Sequence, residues 1–324
     1  MRKRWISVSR LRELGMLGMN CRNVDFINRY NPRHLFPLVD NKLKTKLLAQ
    51  EYDVPTPRLR CVVREQHEIS HIETQLKDME SFALKPAKGS GGKGIVVITG
   101  RQGEDYVRSS GATMTIADVR RHMSNILAGL YSLGGASDVA IIEDIIAFDD
   151  CFAGFSHEGV PDIRIIVFKG YPVMAMLRLA THASNGKANL HQGAVGVGLS
   201  LDAGRCLAAV QFSKTVKDHP DTGRRLSDIQ VPGWRDIMLL ASQCYDMTGL
   251  GYIGTDIVLD KVLGPQLLEL NARPGLAIQV ANARGLLPRL RHIESLTNRR
   301  RLTPEQRVDY AMRQFAEPQT AEAG

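Results

Sequence analysis

Residues 254–276 read "GTDIVLDKVLGPQLLELNARPGL". Two apolar runs meet at a turn around "KVLGP", which predicts an antiparallel hairpin. Side chains alternate across a strand. Ile253, Thr255, Ile257 and Leu259 therefore share one face, and Asp256 looks the other way. On the second run Leu268 and Leu270 take one face, Glu269 and Asn271 the other. Paired as a hairpin, Asp256, Glu269 and Asn271 converge on one patch. Neighbouring carboxylates repel unless something positive lies between them. Hard cations such as Mg²⁺ take oxygen ligands, commonly one or two carboxylates together with substrate phosphates. A plainer reading pairs Glu269 with Arg273 and leaves Asn271 only to turn the chain. Both readings stand at this point.

A metal that holds phosphates needs a phosphate cradle, and "SFALKPAKGSGGKGIVVITG" (81–100) supplies a candidate. It reads as a strand ending near Lys85, a glycine loop, and a second strand marked by the β-branched run 95–98. Glycine backbone can approach a phosphate closely and present N–H donors. The spacing fits neither GxxxxGK[ST] nor GxGxxG, so P-loop and Rossmann readings fall away. The plainer reading is a hairpin tip with solvating lysines.

Asp40-Asn41 offers an N-cap for a helix to about Tyr52, with Leu43, Leu47 and Leu48 on one side. Pro55 and Pro57 stop it. Residues 117–131 and 233–248 read as helices, the second capped by Gly249. "DIRIIVFKGYPVMAMLRLAT" (162–181) reads as a hairpin turning at Lys169-Gly170, and the glycine-rich 182–198 as a functional loop. Hairpins mixed with helices, without regular βαβ units, give an α+β class.

The chain has 324 residues, 44% of them hydrophobic, enough for one large or two ordinary domains. The absence of any apolar run of spanning length, and of a signal-peptide core, predicts a cytoplasmic protein without a membrane span. Five scattered cysteines read as free thiols. The formal charge of +8 gathers at the ends, in Arg2, Lys3, Arg4, Arg10 and Arg12 and again from Arg284 to Arg313. No aromatics interleave with it and no nucleic-acid motif accompanies it. The charge reads as solvated faces and attraction for an anionic ligand such as a nucleotide, rather than for nucleic acid.

Taken in chain order, these segments resemble the ATP-grasp superfamily over roughly residues 38–290. "DNKLKTKLLAQEYDVPTP" is similar to its opening helix and proline-rich exit, and "FALKPAKGSGGKGIVVI" to its lysine and glycine-loop hairpin. "VAIIEDI" is similar to its adenine hinge. "DIRIIV", "VMAMLRLA" and "KANLHQGA" resemble the RimK-type α-L-glutamate ligases, and "GTDIVLD" with "LLELNARPGL" the metal-binding end. The nearest group is a RimK-related, glutamate ligase-like one, whose substrate need not be glutamate. The resemblance implies two α+β subdomains clasping ATP: a short N-terminal segment (1–39), an ATP-grasp domain (40–290, lid about 57–145) and a basic C-terminal tail (291–324).

The resemblance also implies roles. Lys42 and Lys85 would contact the nucleotide phosphates, with Gly89, Ser90, Gly91, Gly92, Lys93 and Gly94 closing over them. Glu143, Asp144 and Ile145 would form the hinge. Asp162 would reach the ribose, with Asp149 or Asp150 as the alternative. Lys187 and Asn189 match a nucleotide-contacting stretch, and Asp256, Glu269 and Asn271 would hold two Mg²⁺ ions, with Mn²⁺ as a substitute. Arg164, Arg178, Arg273 and His191 are the candidate catalytic residues. Arg178, mid-strand among apolar residues, needs a partner and is the favoured grip on the transferring phosphoryl group. The implied reaction is ATP-dependent ligation of a carboxylate to an amine, on an amino acid, peptide or protein, through an acyl-phosphate. A kinase on the same fold, or a nucleotide- or RNA-binding scaffold, are the alternatives. Two features depart from the pattern. Only 41 residues precede Lys42, too few for an ordinary α/β domain, so a large substrate, a homo-oligomer or a partner chain is expected to complete the site. Gly254 stands near where some relatives place an oxyanion-stabilising arginine.

Overall fold

The structure is a computed structural model that describes residues 6–89, 91–157, 159–296 and 302–317. It divides into two compact units, one of residues 37–147 and one of 1–36 with 148–324.

In the first unit, among the described residues, six strands form an antiparallel sheet: β1 (Leu59–Val63), β2 (Phe82–Pro86), β3 (Val96–Gln102), β4 (Asp105–Arg108), β5 (Thr113–Met114) and β6 (Ala140–Glu143), in the order β1-β6-β2-β3-β4-β5. Phe82, Leu84 and Ile98 bury against Val119, Met123 and Ile126 of the helix Ile116–Leu127. Thr115 caps that helix in a reciprocal box with Asp118. Alternation sends Lys85, Ile141 and Glu143 to the opposite face. There Leu43 of the helix Lys42–Glu51 packs on Ala87 and Ile141. Asn41 caps the helix as expected. Its buried side differs from the expected Leu43, Leu47 and Leu48 stripe: Lys46 is buried and Leu47 is 42% exposed.

In the second unit, among the described residues, seven strands form an antiparallel sheet: β7 (Asp162–Phe168), β8 (Tyr171–Leu179), β9 (Val195–Leu199), β10 (Cys206–Gln211), β11 (Lys214–Thr215), β12 (Tyr252–Asp260) and β13 (Gly264–Asn271), ordered β11-β10-β9-β8-β7-β12-β13. Lys169 and Gly170, both at positive φ, make the two-residue turn from β7 to β8. Ile163, Ile165, Thr255 and Ile257 are fully buried on one face. The helix Trp234–Thr248 packs on β7, β8, β12 and β13 and ends at Gly249 with φ +68°.

The alternation expected for β13 breaks once. Asp256 pairs with Glu269, but Ile257 pairs with Leu267, so Leu268 is the extra residue of a β-bulge. Leu267 and Leu270, rather than Leu268 and Leu270, are the buried pair.

Residues 6–36 are part of this second unit rather than a separate cap. Phe26 and Tyr30 meet Phe168 edge-on, and Gln279 exchanges hydrogen bonds with the backbone of Leu17. The expected basic tail also folds back. The helix Pro304–Gln314 buries Val308 and Ala311, and its Arg307 pairs with Asp246. Arg284, Arg289 and Arg291 likewise sit in ion pairs with Glu317, Asp25 or Glu294. A short-range search for charge runs misses Glu317, Asp25 and Asp246 because they are distant in sequence; only Glu294, three residues from Arg291, is near. Arg2, Lys3, Arg4, Arg299, Arg300 and Arg301 lie outside the described residues. All five cysteines are free, and no helix among the described residues is long and apolar enough to cross a membrane.

Candidate functional site

The face of the second unit's sheet that carries Asp256 is charged at its centre. Because paired residues point the same way, the register brings Asp256 beside both Arg164 and Glu269, and Asp162 beside Arg178. Asn271 pairs with Gly254, one step along the same face. The three oxygen-bearing residues expected to converge therefore do share one face.

Two arginines are woven into this patch. Arg164 donates through Nε (2.7 Å) and Nη2 to the two oxygens of Asp256. Arg178 donates through Nε and Nη2 to Asp162, and Nη2 also reaches Asp256 at 2.8 Å. Asp162 and Asp256 are 5% and 3% exposed. Charges this buried persist only when paired, and here two anions face two cations. Burial pushes the Asp162 carboxyl up to about 6, against the pull of Arg178, with Asp256 adding to the rise. Burial pushes Asp256 up as well, but Arg164 and Arg178 overcome it and hold this carboxyl below its ordinary range. Both guanidiniums use the same Nε/Nη2 edge, and among the described residues Nη1 of neither makes a hydrogen bond.

At the position expected to reach a ribose, both oxygens of Asp162 are engaged by Arg178, just as both of Asp256 are engaged by Arg164 and Arg178, so Asp162 orients that arginine. Of the alternatives, Asp149 accepts from the backbone of Cys151 and Asp150 pairs with Lys261.

Pro274 stands over Gly254. A Cβ there would lie 2.7 Å from the proline Cβ, so β12 has no room for an arginine at this point. The cations come from β7 and β8 instead. Asn271 accepts from the backbone N–H of Arg273 at 2.8 Å, and the exposed Arg273 guanidinium lies 5.2 Å from the centre of the Phe36 ring. Asn189 accepts from the N–H of His191, placing that histidine on a short exposed turn. Lys187, just before it, is exposed.

The donor chemistry suits a hard divalent cation, since Asp256, Glu269 and Asn271 offer only oxygen. Among the described residues no three His, Cys, Asp or Glu side chains are grouped to hold an ion by themselves. With the charge of Asp256 already matched by arginine, the set suits a cation that arrives with phosphate ligands of its own.

The first unit carries its own charged centre. Glu143, 4% exposed, accepts from Lys46 at 2.9 Å and from Lys85. Burial raises the Glu143 carboxyl, but Lys85 and Lys46 more than reverse this and hold it low. Burial also depresses Lys46, which shares that carboxylate with Lys85 and donates besides to the carbonyl of Pro57. The Glu143 side chain is therefore a clamp between lysines, and its backbone is paired on both sides within the sheet. Asp144 donates its N–H to Arg58 and pairs with Arg60, so of the expected hinge trio Ile145 is the residue past these pairings.

The glycine loop is held at both ends. Lys42 Nζ donates to the carbonyl of Gly89 at 2.6 Å. The buried Asp138 carboxylate accepts from the N–H groups of Lys88 and Val139 and from Ser132. At the far end His122 meets the carbonyl of Gly94, and Tyr131 packs where a Gly94 Cβ would be. Gly91, Gly92 and Gly94 take positive φ, and Gly91 and Gly92 have open space around them. Lys93 is exposed. Ser90 lies outside the described residues. Sequence reasoning missed Lys46 and Asp138. The i, i+4 spacing of Lys42 and Lys46 was a usable signal for the first, and Asp138 had none.

The sequence profile of the sugar-transfer associated ATP-grasp family matches residues 21–295. The chain belongs to that family. The ATP-grasp superfamily and α+β class expected from the motifs are therefore those of the protein. A search of curated proteins gave no match. Among solved structures, D-alanyl-alanine synthetase A from Vibrio cholerae aligns with TM-score 0.47 and 10% identity, over 87% of this chain and 66% of that one. The ATP-grasp ligase PsnB in complex with a minimal precursor gives 0.43 and 12%, over 82% and 63%. A RimK-domain ATP-grasp protein from Sphaerobacter thermophilus gives 0.44 and 13%, over 81% and 70%. The chain thus spans just under two thirds of the length of the first two, and membership of the ATP-grasp family rests on the profile.

Proposed function

We propose that this ATP-grasp protein is an ATP-dependent ligase that activates a carboxylate as an acyl-phosphate and passes it to an amine. The observation that carries the reading is the arginine pair. Two guanidiniums are locked on one sheet face by two buried carboxylates, each with its Nη1 edge left over, beside the oxygen donors Asp256, Glu269 and Asn271. Preorganised donors of this kind stabilise charge that develops during phosphoryl and acyl transfer.

Asp256, Glu269 and Asn271 would hold Mg²⁺ that arrives with the nucleotide; when bound, it would neutralise phosphate charge. A substrate carboxylate oxygen attacks the γ-phosphorus and ADP leaves. Arg178 and Arg164 receive the anion so formed. An amine then attacks the acyl carbon, loses a proton, and phosphate departs. Lys85, Lys46 and Lys42 would serve the nucleotide phosphates, Lys being suited as a mobile point charge, and the loop 89–94 would supply backbone N–H donors.

The test uses hydroxylamine as a small surrogate amine. With ATP and a panel of carboxylic acids, a ligase yields ADP, free phosphate and a hydroxamate in equal amounts. ADP formed with phosphate left on the acceptor identifies a kinase instead, and absence of ADP under all conditions identifies a binding scaffold.

A further inference from the structure

Ile6, Val8, Leu14, Met19 and Val24 are 44–67% exposed, five of the fourteen large apolar side chains that face water among the described residues. Single exposed apolar side chains are ordinary, but a concentration of them in one short segment marks a contact surface. The same stretch of sequence, taken from residue 1 to residue 24, is basic. Arg2, Lys3, Arg4, Arg10, Arg12 and Arg22 stand against one acid, Glu13.

The helix Val8–Glu13 sorts these side chains. Ser7 caps it, accepting from the N–H of Arg10 at 3.1 Å. Successive residues of a helix turn by about 100°. Leu14, Leu11 and Val8 therefore fall within an arc of about 120°, with Arg10 about 40° beyond one edge and Arg12 about 40° beyond the other. Ser9 and Glu13 take the opposite side. An apolar stripe with a guanidinium along each border suits a helix lying in a membrane interface. There the arginine stems cover apolar surface and their heads reach phosphate. The exposed pair of Arg10 with Glu13 at 2.8 Å is of the weak kind that a phosphate can replace.

The rest of the second unit does not cover this stripe. The helix contributes no buried residue, and Leu11 is only half-buried. The chain is fastened just past it. The carbonyl of Gly15 accepts from the N–H of Leu287 at 3.1 Å, Pro288 packs where a Gly15 Cβ would be, and Leu17 is buried. Phe26 and Ile27 fasten it again. A helix this short gains little stability by itself in water, so an apolar layer that receives the stripe supplies what the protein body does not. A turn and a half is also short for a helix seated in a protein groove, which is read through anchors from i to i+7. Charge of one sign beside apolar side chains matches an anionic headgroup layer over acyl chains.

We propose that residues 6–24 form a peripheral membrane contact, with the helix Val8–Glu13 lying in the headgroup layer of an anionic bilayer. Val8 and Leu14 enter the acyl boundary, and Arg10 and Arg12 meet lipid phosphates. The contact goes beyond the ligase reading and does not depend on it.

The experiment floats the full chain with vesicles of phosphatidylcholine alone and of phosphatidylcholine mixed with phosphatidylglycerol. The parent is compared with the double variant Val8→Ser, Leu14→Ser and with the double variant Arg10→Gln, Arg12→Gln. All four side chains are exposed, and thermal unfolding checks that both variants stay folded. A second measurement needs no substitution. Trp5 directly precedes Ile6 in the sequence, whereas Trp234 is buried in the second unit, so quenching of tryptophan emission by brominated acyl chains reports this contact in the parent. The expected result is binding to mixed vesicles at least tenfold tighter than to neutral ones, a loss of at least tenfold in each variant, and quenching in the parent. Equal binding to both vesicles, binding that survives Val8→Ser with Leu14→Ser, or no quenching on mixed vesicles overturns the proposal. A parent that stays off vesicles but doubles its mass in light scattering, with the doubling lost in that same variant, assigns the stripe to a second copy of the chain and overturns it too.

Discussion

Asp162 faces Arg178 directly across β7 and β8 and accepts from both Nε and Nη2 of its guanidinium, the latter at 2.6 Å. This contact sets the direction in which the remaining Nη1 points, and it makes Asp162 a positioning residue.

Asp162→Asn keeps the shape and removes the charge. Stripping one partner from a buried ion pair costs about 3–5 kcal/mol, and the asparagine oxygen retains one acceptor. Urea unfolding of the variant is expected to show a loss approaching that range. A change below about 0.5 kcal/mol, the size of an ordinary surface substitution, would show that Arg178 does not depend on it.

Glu143 makes a second prediction, in the first unit. Glu143→Gln leaves Lys46 buried without its carboxylate, so a loss of about 3–5 kcal/mol is expected. Adding Lys46→Met, which removes the orphaned charge at similar volume, should restore most of it. The pH dependence has a definite sign. A carboxyl held low in the folded state contributes stability that is full above its unfolded value of roughly 4.3. That contribution is lost as pH falls through the folded value. Acid unfolding curves of parent and Glu143→Gln should therefore draw together only as pH falls below roughly 4.3 and on through the lowered folded value, where the parent side chain is also uncharged. Parallel curves would contradict the clamp.

Gly254 gives a third prediction. A Cβ there meets the rigid ring of Pro274 at 2.7 Å. Gly254→Ala is expected to cost about 1–3 kcal/mol, the range for overpacking, and to displace the turn that carries Asn271. Thermal unfolding reads the first effect, and weakened ADP–Mn²⁺ binding the second.

Much of this site was legible because it depends on local pattern. The turn at Lys169-Gly170, the helix 234–248 with its glycine cap, and the shared face of Asp256, Glu269 and Asn271 all follow from period and turn chemistry. What stayed hidden depends on partners far away in the chain. The apolar period put Leu47 inside, yet Lys46 is drawn in by Glu143, on a strand almost a hundred residues later. The pairing of Asp162 with Arg178 becomes visible only once register is known. The bulge at Leu268 adds a residue that alternation has no means to detect, and it changes which leucines are buried without moving Glu269 from Asp256.

The central claim is that Asp256 and Glu269 hold a divalent ion delivered with the nucleotide. Electron paramagnetic resonance of Mn²⁺, titrated with and without ADP, tests it directly on the parent and on Glu269→Gln. The account predicts that ADP tightens Mn²⁺ binding to the parent and that Glu269→Gln loses at least tenfold of that gain, about 1.4 kcal/mol. ADP-dependent Mn²⁺ binding of equal strength in both proteins would contradict it.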